Sequence, residues 1–237
     1  MDNYTGMAYT AGVFDADGCV DVARYVDHYG TISHPLRVIF SQNDEVFLSD
    51  LRERLGAGFI SGSGHDLVLA SVAGADLLRQ LIPFLCIKRE EAALAVRFRA
   101  DPALWWGNNK GRKRTPVHVV EKRDEYKEAL SVLKSLRRPI LPDPVPVGPL
   151  TAVECAYLAG FIDGDGCISI TKHNRRDTPM PAYDLWLVIT QAEGKGRMYR
   201  SWQESGDADQ IWCWACQLHT RPVSLACFVQ VSGEAGG

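Results

Sequence analysis

Twelve residues recur almost unchanged 148 positions apart. Residues 8–19 read AYTAGVFDADGC and residues 156–167 read AYLAGFIDGDGC, with eight of the twelve positions identical: Ala8/Ala156, Tyr9/Tyr157, Ala11/Ala159, Gly12/Gly160, Asp15/Asp163, Asp17/Asp165, Gly18/Gly166 and Cys19/Cys167. Stacked-repeat architectures have periods of roughly 20–50 residues, so this spacing points instead to two copies of one domain. Between the copies lies PILPDPVPVGP, residues 139–149, with five prolines in eleven residues. Such a stretch cannot donate a backbone ladder and reads as an extended, semi-rigid linker. The expected organisation is a first unit over 1–138 with a basic terminal helix, the linker over 139–149, and a second, partial unit over 150–237.

Each copy has the same local logic. Thr151 followed by Glu154 forms a capping box, which places a helix start just before the second motif. Ala8 and Gly12, and likewise Ala156 and Gly160, are small residues four apart on one helix face, where two helix backbones can approach closely. The acidic pair and the glycine then end the helix, with Gly18 and Gly166 expected as left-handed caps. Strand-like runs follow: CVDVARY and LRVIFSQ in the first half, CISITKH and LWLVITQ in the second. The first half continues with a helix EVFLSDLRERL that Asn43 can cap and that stops at Gly56. FISGSGHDLVLAS then reads as a second hairpin. Residues 75–82 look helical, EEAALAVRF starts a further helix after Lys88, and a last helix over about 118–137 carries Val119, Tyr126, Leu130, Leu133 and Leu136 on one stripe. The order is α-β-β-α-β-β-α plus a terminal helix.

These residues carry a family resemblance. The strings LAGFIDGDG in the second copy and TAGVFDADG in the first resemble the LAGLIDADG motif of homing endonucleases. In the first copy Thr10 stands where that family usually has an apolar residue. The likeness runs along the whole first half, including FSQND near Gln42 and PFLCIK ending at Lys88, but in the second half it covers only about 151–191. It implies an α+β fold: a pseudo-two-fold pair of αββαββα units with saddle-shaped antiparallel sheets, the second unit incomplete, packed through the motif helices. The implied function is site-specific double-stranded DNA cleavage by metal-dependent phosphodiester hydrolysis, in a protein that serves intron or intein homing. The alternative is a non-cleaving nucleic-acid binder, such as an RNA maturase acting on intron RNA or a transcription regulator, or an inactive relic.

The resemblance carries the family's metal-binding acid onto Asp17 and Asp165, with the carbonyls of Ala16 and Gly164 as further ligands. Hydrolysis of a phosphodiester needs an activated water, a neutralised phosphate and a stabilised leaving oxygen, and hard oxygen ligands for Mg²⁺ or Mn²⁺ provide the setting. Two carboxylates brought close repel unless a cation offsets them. Asp15 and Asp163 are expected to bind backbone or shape the turn, as Asp does at helix ends. Gln42 and Gln191 end the second strand of each half, where the family orders water with a polar residue. Lys88 matches the family's basic residue near the scissile phosphate, where an ammonium offsets transition-state charge. Strand alternation puts Asp21, Ala23 and Tyr25 on one face, and Ser169, Thr171 and His173 on the equivalent face of the second unit. Arg37, on a partner strand, can reach a guanine, and His65 is a further candidate. Lys110, Arg112, Lys113 and Arg114 in NNKGRKR suit phosphates.

The charge distribution admits a polyanion partner that the net charge argues against, although on charge alone a solvated, charged helix and loop is the favoured reading. The chain sums to −3, but residues 88–138 hold 14 Lys and Arg against 7 Asp and Glu, leaving 12 against 22 elsewhere. With 46% apolar residues a packed core is expected and wholesale disorder is excluded. No apolar run reaches the roughly 18 residues of a membrane helix. Seven cysteines are odd in number and sparse, which predicts reduced thiols and an intracellular, cytoplasmic protein, and the family resemblance implies a monomer. The second half departs from the pattern. Gln42 and Lys88 are 46 residues apart, and 46 residues beyond Gln191 is Gly237, so no equivalent lysine is expected there. The tail holds Trp202, Trp212 and Trp214 with Cys213, Cys216, His219 and Cys227, a weak zinc-type spacing. A truncated or frame-shifted reading frame is one expectation for that tail.

Overall fold

The computed structural model describes residues 3–104, 115–136, 150–173, 182–189, 201–204 and 211–214, the strands beyond Cys167 by their backbone pairing alone. The expected linker and the segment NNKGRKR lie outside the described residues.

Helix α1 (Asn3–Asp17) runs straight into strand β1 (Gly18–Val22), and β4 (Leu36–Ser41) returns antiparallel to it, with Gly18 opposite Phe40 and Val22 opposite Leu36. Beyond the sheet the same hairpin continues as a short ribbon, β2 (Tyr25–Val26) against β3 (Ile32–Ser33). Its tip is closed by the Asp27 carboxylate, which accepts from the backbone N–H groups of Tyr29 and Thr31 at 2.8 Å each. Helix α2 (Glu45–Leu55) follows, then β5 (Phe59–Ile60) and β6 (Asp66–Ala70). The sheet order is β1-β4-β6-β5, antiparallel throughout. Helices α3 (Ser71–Leu81), α4 (Arg89–Ala100) and α5 (Val117–Ser135) complete the first unit.

Two local expectations are corrected. The cap of α2 is Asp44 rather than Asn43: its side chain accepts from the N–H groups of Val46 and Phe47. The stop at Gly56 stands, with φ of 63° in the left-handed region. Gly18 and Gly166 are not left-handed caps. Gly166 has an extended φ of −88°, and Gly18 starts β1. Glycine is required there by space, since a Cβ on Gly18 would lie 2.4 Å from the Phe14 carbonyl and one on Gly166 2.5 Å from that of Ile162. The chain turns from helix to strand within one residue, so the first strand residue lies against the last helical turn.

The core follows from strand alternation. Val20 and Val22 of β1, Leu36, Val38 and Phe40 of β4, and Leu67 and Leu69 of β6 face the helices and are buried, while Cys19, Asp21, Arg37 and Ile39 lie on the other face. Phe14 meets Phe40 edge to face at 5.3 Å. Each such fully buried side chain contributes about 1.5–3 kcal/mol of hydrophobic stabilisation. Leu77, Leu78 and Leu81 of α3 and Leu94 and Phe98 of α4 extend this core, and Val119 and Leu130 pin α5 to the same body. Of the expected α5 stripe, Leu136 is exposed.

The second copy repeats the opening. Helix α6 (Ala152–Asp165) begins with the complete Thr151–Glu154 capping box. It leads into β7 (Gly166–His173), paired antiparallel with β8 (Ala182–Ile189) so that Gly166 faces Ile189, the counterpart of Gly18 facing Phe40. In the tail, β9 (Ser201–Glu204) pairs with β10 (Ile211–Trp214). Among the described residues no helix is long and apolar enough to cross a membrane.

Candidate nuclease centre at the paired motif helices

Helices α1 and α6 pack face to face through the repeated small residues. A Cβ on Gly12 would sit 2.0 Å from the Tyr157 carbonyl oxygen, and a Cβ on Gly160 would sit 2.0 Å from that of Tyr9. Each glycine therefore lies on the backbone of the opposite helix, at equivalent positions of the two copies. Ala8 and Ala156 are buried beside them. Thr10, the polar exception in the first motif, is buried and satisfied within its own helix, donating to the Gly6 carbonyl at 2.9 Å.

This packing brings the two acidic ends together. Asp17 closes α1 and Asp165 closes α6. Gly164 touches the first motif closely: a Cβ there would lie 2.4 Å from the Ala16 Cβ and 3.4 Å from Asp17 Oδ2. Gln42, just past β4, reaches into the junction. Its Nε2 donates to Asp17 Oδ2 and lies 3.4 Å from the Gly164 carbonyl oxygen. The backbone N–H of Gln42 is itself held by the His65 carbonyl at 2.9 Å. One side chain thus contacts the carboxylate of one motif and the backbone of the other. Gln191, two residues past Ile189 where Gln42 is two past Phe40, lies outside the described residues.

Asp15 has a different environment. It is buried, and its two oxygens accept from the backbone N–H groups of Cys86, Ile87 and Lys88 at 2.7, 3.0 and 2.8 Å, and from the Tyr157 hydroxyl at 2.8 Å. It locks the loop before α4 to the end of α1, the backbone role expected from its sequence position. Asp163 receives the Tyr9 hydroxyl at 2.7 Å in an exposed setting. The two tyrosine–aspartate bonds are the same bond made twice across the helix pair. Burial first, then the hydrogen bond and charge of Asp163, pushes the Tyr9 hydroxyl well above its ordinary range. Burial first and the charge of Asp15 second do the same to Tyr157.

Lys88 lies at the same helix end but points inward. Only 3% exposed, its ammonium donates to the carbonyls of Phe14 at 2.8 Å and Ala16 at 3.0 Å. A cation there satisfies orphan carbonyls at a helix C-terminus and opposes the negative end of the helix dipole. It also occupies one lone pair of Ala16, a carbonyl expected as a metal ligand.

On the open face of the sheet, Arg37 and Asp21 are direct cross-strand partners. The Arg37 guanidinium donates to Asp21 Oδ2 from Nε at 3.2 Å and from Nη2, and to the Tyr25 hydroxyl from Nη1 at 3.0 Å. Asp21 raises the Arg37 pKa, so its charge is permanent. His65 is exposed at the turn before β6. Ser169, Thr171 and His173 alternate along β7, opposite Trp186, Asp184 and Ala182. Lys110, Arg112, Lys113 and Arg114 fall outside the described residues, as do Cys216, His219 and Cys227 of the zinc-type spacing.

Among the described residues no three His, Cys, Asp or Glu side chains gather as a metal cluster. The oxygens that meet at the junction are the half-buried Asp17 carboxylate and the Gly164 carbonyl, next to the half-buried Asp165 that closes the facing helix. That set fits Mg²⁺, which is usually held by one or two carboxylates with water and substrate phosphate completing the shell.

Sequence reasoning missed the cross-helix role of Tyr9 and Tyr157 and the pairing of Asp21 with Arg37. Both tyrosines are among the eight repeated positions, six residues before Asp15 and Asp163, so the signal was present but its target lay on the other helix.

An α+β unit whose first helix packs against the repeated motif helix has structural relatives among LAGLIDADG homing endonucleases. The similarity is structural. The LAGLIDADG homing endonuclease I-GzeII, in complex with its DNA target, superposes with a TM-score of 0.52 at 14% identity, over 79% of this chain and 67% of that one. I-SmaMI bound to cleaved DNA gives 0.49 at 19% identity, over 80% and 67%. I-CvuI with uncleaved DNA in the presence of Mg gives 0.44 at 18% identity, over 66% and 94%. The first of these carries the conclusion that the chain has the LAGLIDADG homing-endonuclease fold. No protein-family model and no curated protein matches the sequence.

Proposed function

We propose that the chain is a LAGLIDADG-type homing endonuclease that cuts double-stranded DNA at a specific site by metal-dependent phosphodiester hydrolysis. The observation that carries this reading is the Gln42 side chain, which contacts Asp17 of one motif and Gly164 of the other where the two acidic helix ends meet. A structural turn would need neither the close approach of the second motif nor a polar side chain brought from another strand.

The residues divide the work. Asp17 and Asp165 would hold a divalent ion, Mg²⁺ or Mn²⁺. When bound, that ion supplies Lewis acidity and a nucleophilic water at neutral pH. Gln42 fixes the orientation of the Asp17 carboxylate and keeps a polar edge at the junction. Asp15 anchors the loop carrying Lys88, and the Lys88 ammonium brings positive charge to within one residue of Asp17. The open face of the β1-β4-β6-β5 sheet, with Arg37, Tyr25 and the second unit's Ser169, Thr171 and His173, is the surface for the duplex. Two units in one chain make the cutting species a monomer.

The test uses a supercoiled plasmid carrying a site selected by the protein from random duplex. Linearisation that needs Mg²⁺ or Mn²⁺ and stops with chelator supports the reading. Tight, selective binding without any strand break under either ion would leave a DNA-binding protein and remove the endonuclease.

A further inference from the structure

We propose that Tyr157 of the second motif is a positioning residue for Lys88 of the first: its hydroxyl, through Asp15, sets the loop that carries the lysine, so the first unit's lysine is in place only while α6 is seated. The proposal rests on the endonuclease reading above and adds a regulation of that same centre.

Asp15 stands between the two residues. Its Oδ2 accepts from the Tyr157 hydroxyl at 2.8 Å and from the N–H groups of Cys86 and Ile87 at 2.7 and 3.0 Å, and its Oδ1 accepts from the Lys88 N–H at 2.8 Å. Three of these donors belong to the loop ahead of α4, and the fourth comes from the facing helix. Tyr157 and Asp15 are both buried, so the oxygen that loses the hydroxyl has no water to replace it. Lys88 is in turn fixed at both ends, its N–H on Asp15 and its ammonium on the carbonyls of Phe14 at 2.8 Å and Ala16 at 3.0 Å. Ala16 is the residue before Asp17. A carboxylate that turns carries the Lys88 backbone with it, and a displacement of about 1 Å near the chemistry can cost roughly 10²-fold in rate.

The second copy supplies a control. Tyr9 makes the same bond to Asp163 at 2.7 Å, in an exposed setting. Among the described residues no loop amide joins Asp163, and no counterpart of Lys88 is expected beyond Gln191. The Tyr9 ring also lies 5.9 Å from the Arg54 guanidinium, a contact that Tyr9→Phe keeps. If the two bonds only clamp α1 to α6, they are interchangeable, and losing either one weakens the junction for both cuts. A tyrosine that sets Lys88 is not interchangeable with its twin. Its loss reaches the scissile phosphate served by the first unit and spares the other.

The experiment follows each strand of an end-labelled duplex, carrying a site selected by the full-length chain, through a single Mg²⁺-dependent turnover at saturating protein. Wild type, Tyr157→Phe, Tyr9→Phe, Lys88→Met and the double variant Tyr157→Phe/Lys88→Met are compared, with melting curves and DNA affinities for each. The proposal predicts that Tyr157→Phe slows one strand by about 10–100-fold at unchanged affinity and leaves the other strand near the wild-type rate. Tyr9→Phe leaves both strands near that rate. Lys88→Met slows the same strand as Tyr157→Phe, and the double variant is no slower there than Lys88→Met alone, because the tyrosine acts through the lysine. Equal slowing of both strands by Tyr157→Phe, or a double variant whose losses multiply, identifies a plain helix clamp and overturns the proposal. So does a Tyr157→Phe protein that cuts both strands at the wild-type rate. The contrast between Tyr157→Phe and Tyr9→Phe decides the matter even where Lys88→Met fails to fold. A wild-type protein that cuts neither strand under Mg²⁺ or Mn²⁺ removes the endonuclease reading, and amide hydrogen exchange then tests the positioning by itself. Faster exchange at Ile87 and Lys88 in Tyr157→Phe than in Tyr9→Phe upholds it, and equal exchange overturns it.

Discussion

The Tyr157 hydroxyl crosses the helix pair to the buried carboxylate of Asp15 at 2.8 Å, and 148 residues earlier Tyr9 returns the same bond to Asp163 at 2.7 Å. The two-fold relation between the motifs is therefore built from hydrogen bonds as well as from close glycine contacts. The copies are not equivalent: Asp15 also gathers three backbone N–H groups and is buried, whereas Asp163 is exposed. The first unit is the anchored one.

Burial of the Tyr157 hydroxyl, and next the charge of Asp15 beside it, sets a pH dependence. Tyr157 titrates well above its ordinary value of 10.0 in the folded chain. The folded state thus holds this proton more tightly than the unfolded chain does. Its contribution is complete below the unfolded value and is lost as pH rises from there through the raised folded value. Melting temperatures of wild type and Tyr157→Phe should converge as pH climbs above about 10, because only the wild type loses this term. A constant gap across that window would contradict it.

The glycine contacts predict a steric penalty. Gly12→Ala or Gly160→Ala places a methyl on a backbone carbonyl that cannot rotate away, so the helices must separate. Urea unfolding should show a loss of about 1–3 kcal/mol for each. Gly6→Ala, where nothing lies within 4 Å of the added methyl, should be neutral or slightly stabilising in the same helix.

Lys88 and Gln42 should separate by assay. Lys88→Met strips the donors from two carbonyls at a buried helix end, which is expected to cost about 1–3 kcal/mol in urea unfolding. Gln42→Ala leaves the core alone and removes the group that orients Asp17. Its stability should be nearly that of the wild type while cleavage falls about 10–100-fold at unchanged DNA affinity.

Much of this was legible along the chain because the signals are local. The repeat located both helices, the Thr151–Glu154 box located the start of α6, and alternation put Asp21 on one face of its strand, which is the face away from the buried Val20 and Val22. What stayed hidden depends on a second element. Nothing near Lys88 announces that its ammonium turns inward to the end of α1, since a lysine after a loop is ordinarily exposed. Gly18 and Gly166 read as left-handed caps because glycine after a helix usually is one. Only the packed structure reveals that Phe14 and Ile162 leave no space for a Cβ. Asn43 and Asp44 are equally good caps by type, and chain geometry chose between them.

In the proposed endonuclease Asp17 serves the chemistry and Asp15 the structure, although they are two residues apart on one helix. Strand cleavage, DNA affinity and urea stability measured together for Asp17→Asn and Asp15→Asn test this most directly. Asp17→Asn should abolish Mg²⁺-dependent cleavage while folding and binding are kept, whereas Asp15→Asn should lower stability by on the order of 3 kcal/mol. Full cleavage by Asp17→Asn, or its unfolding alongside Asp15→Asn, would contradict the proposed centre.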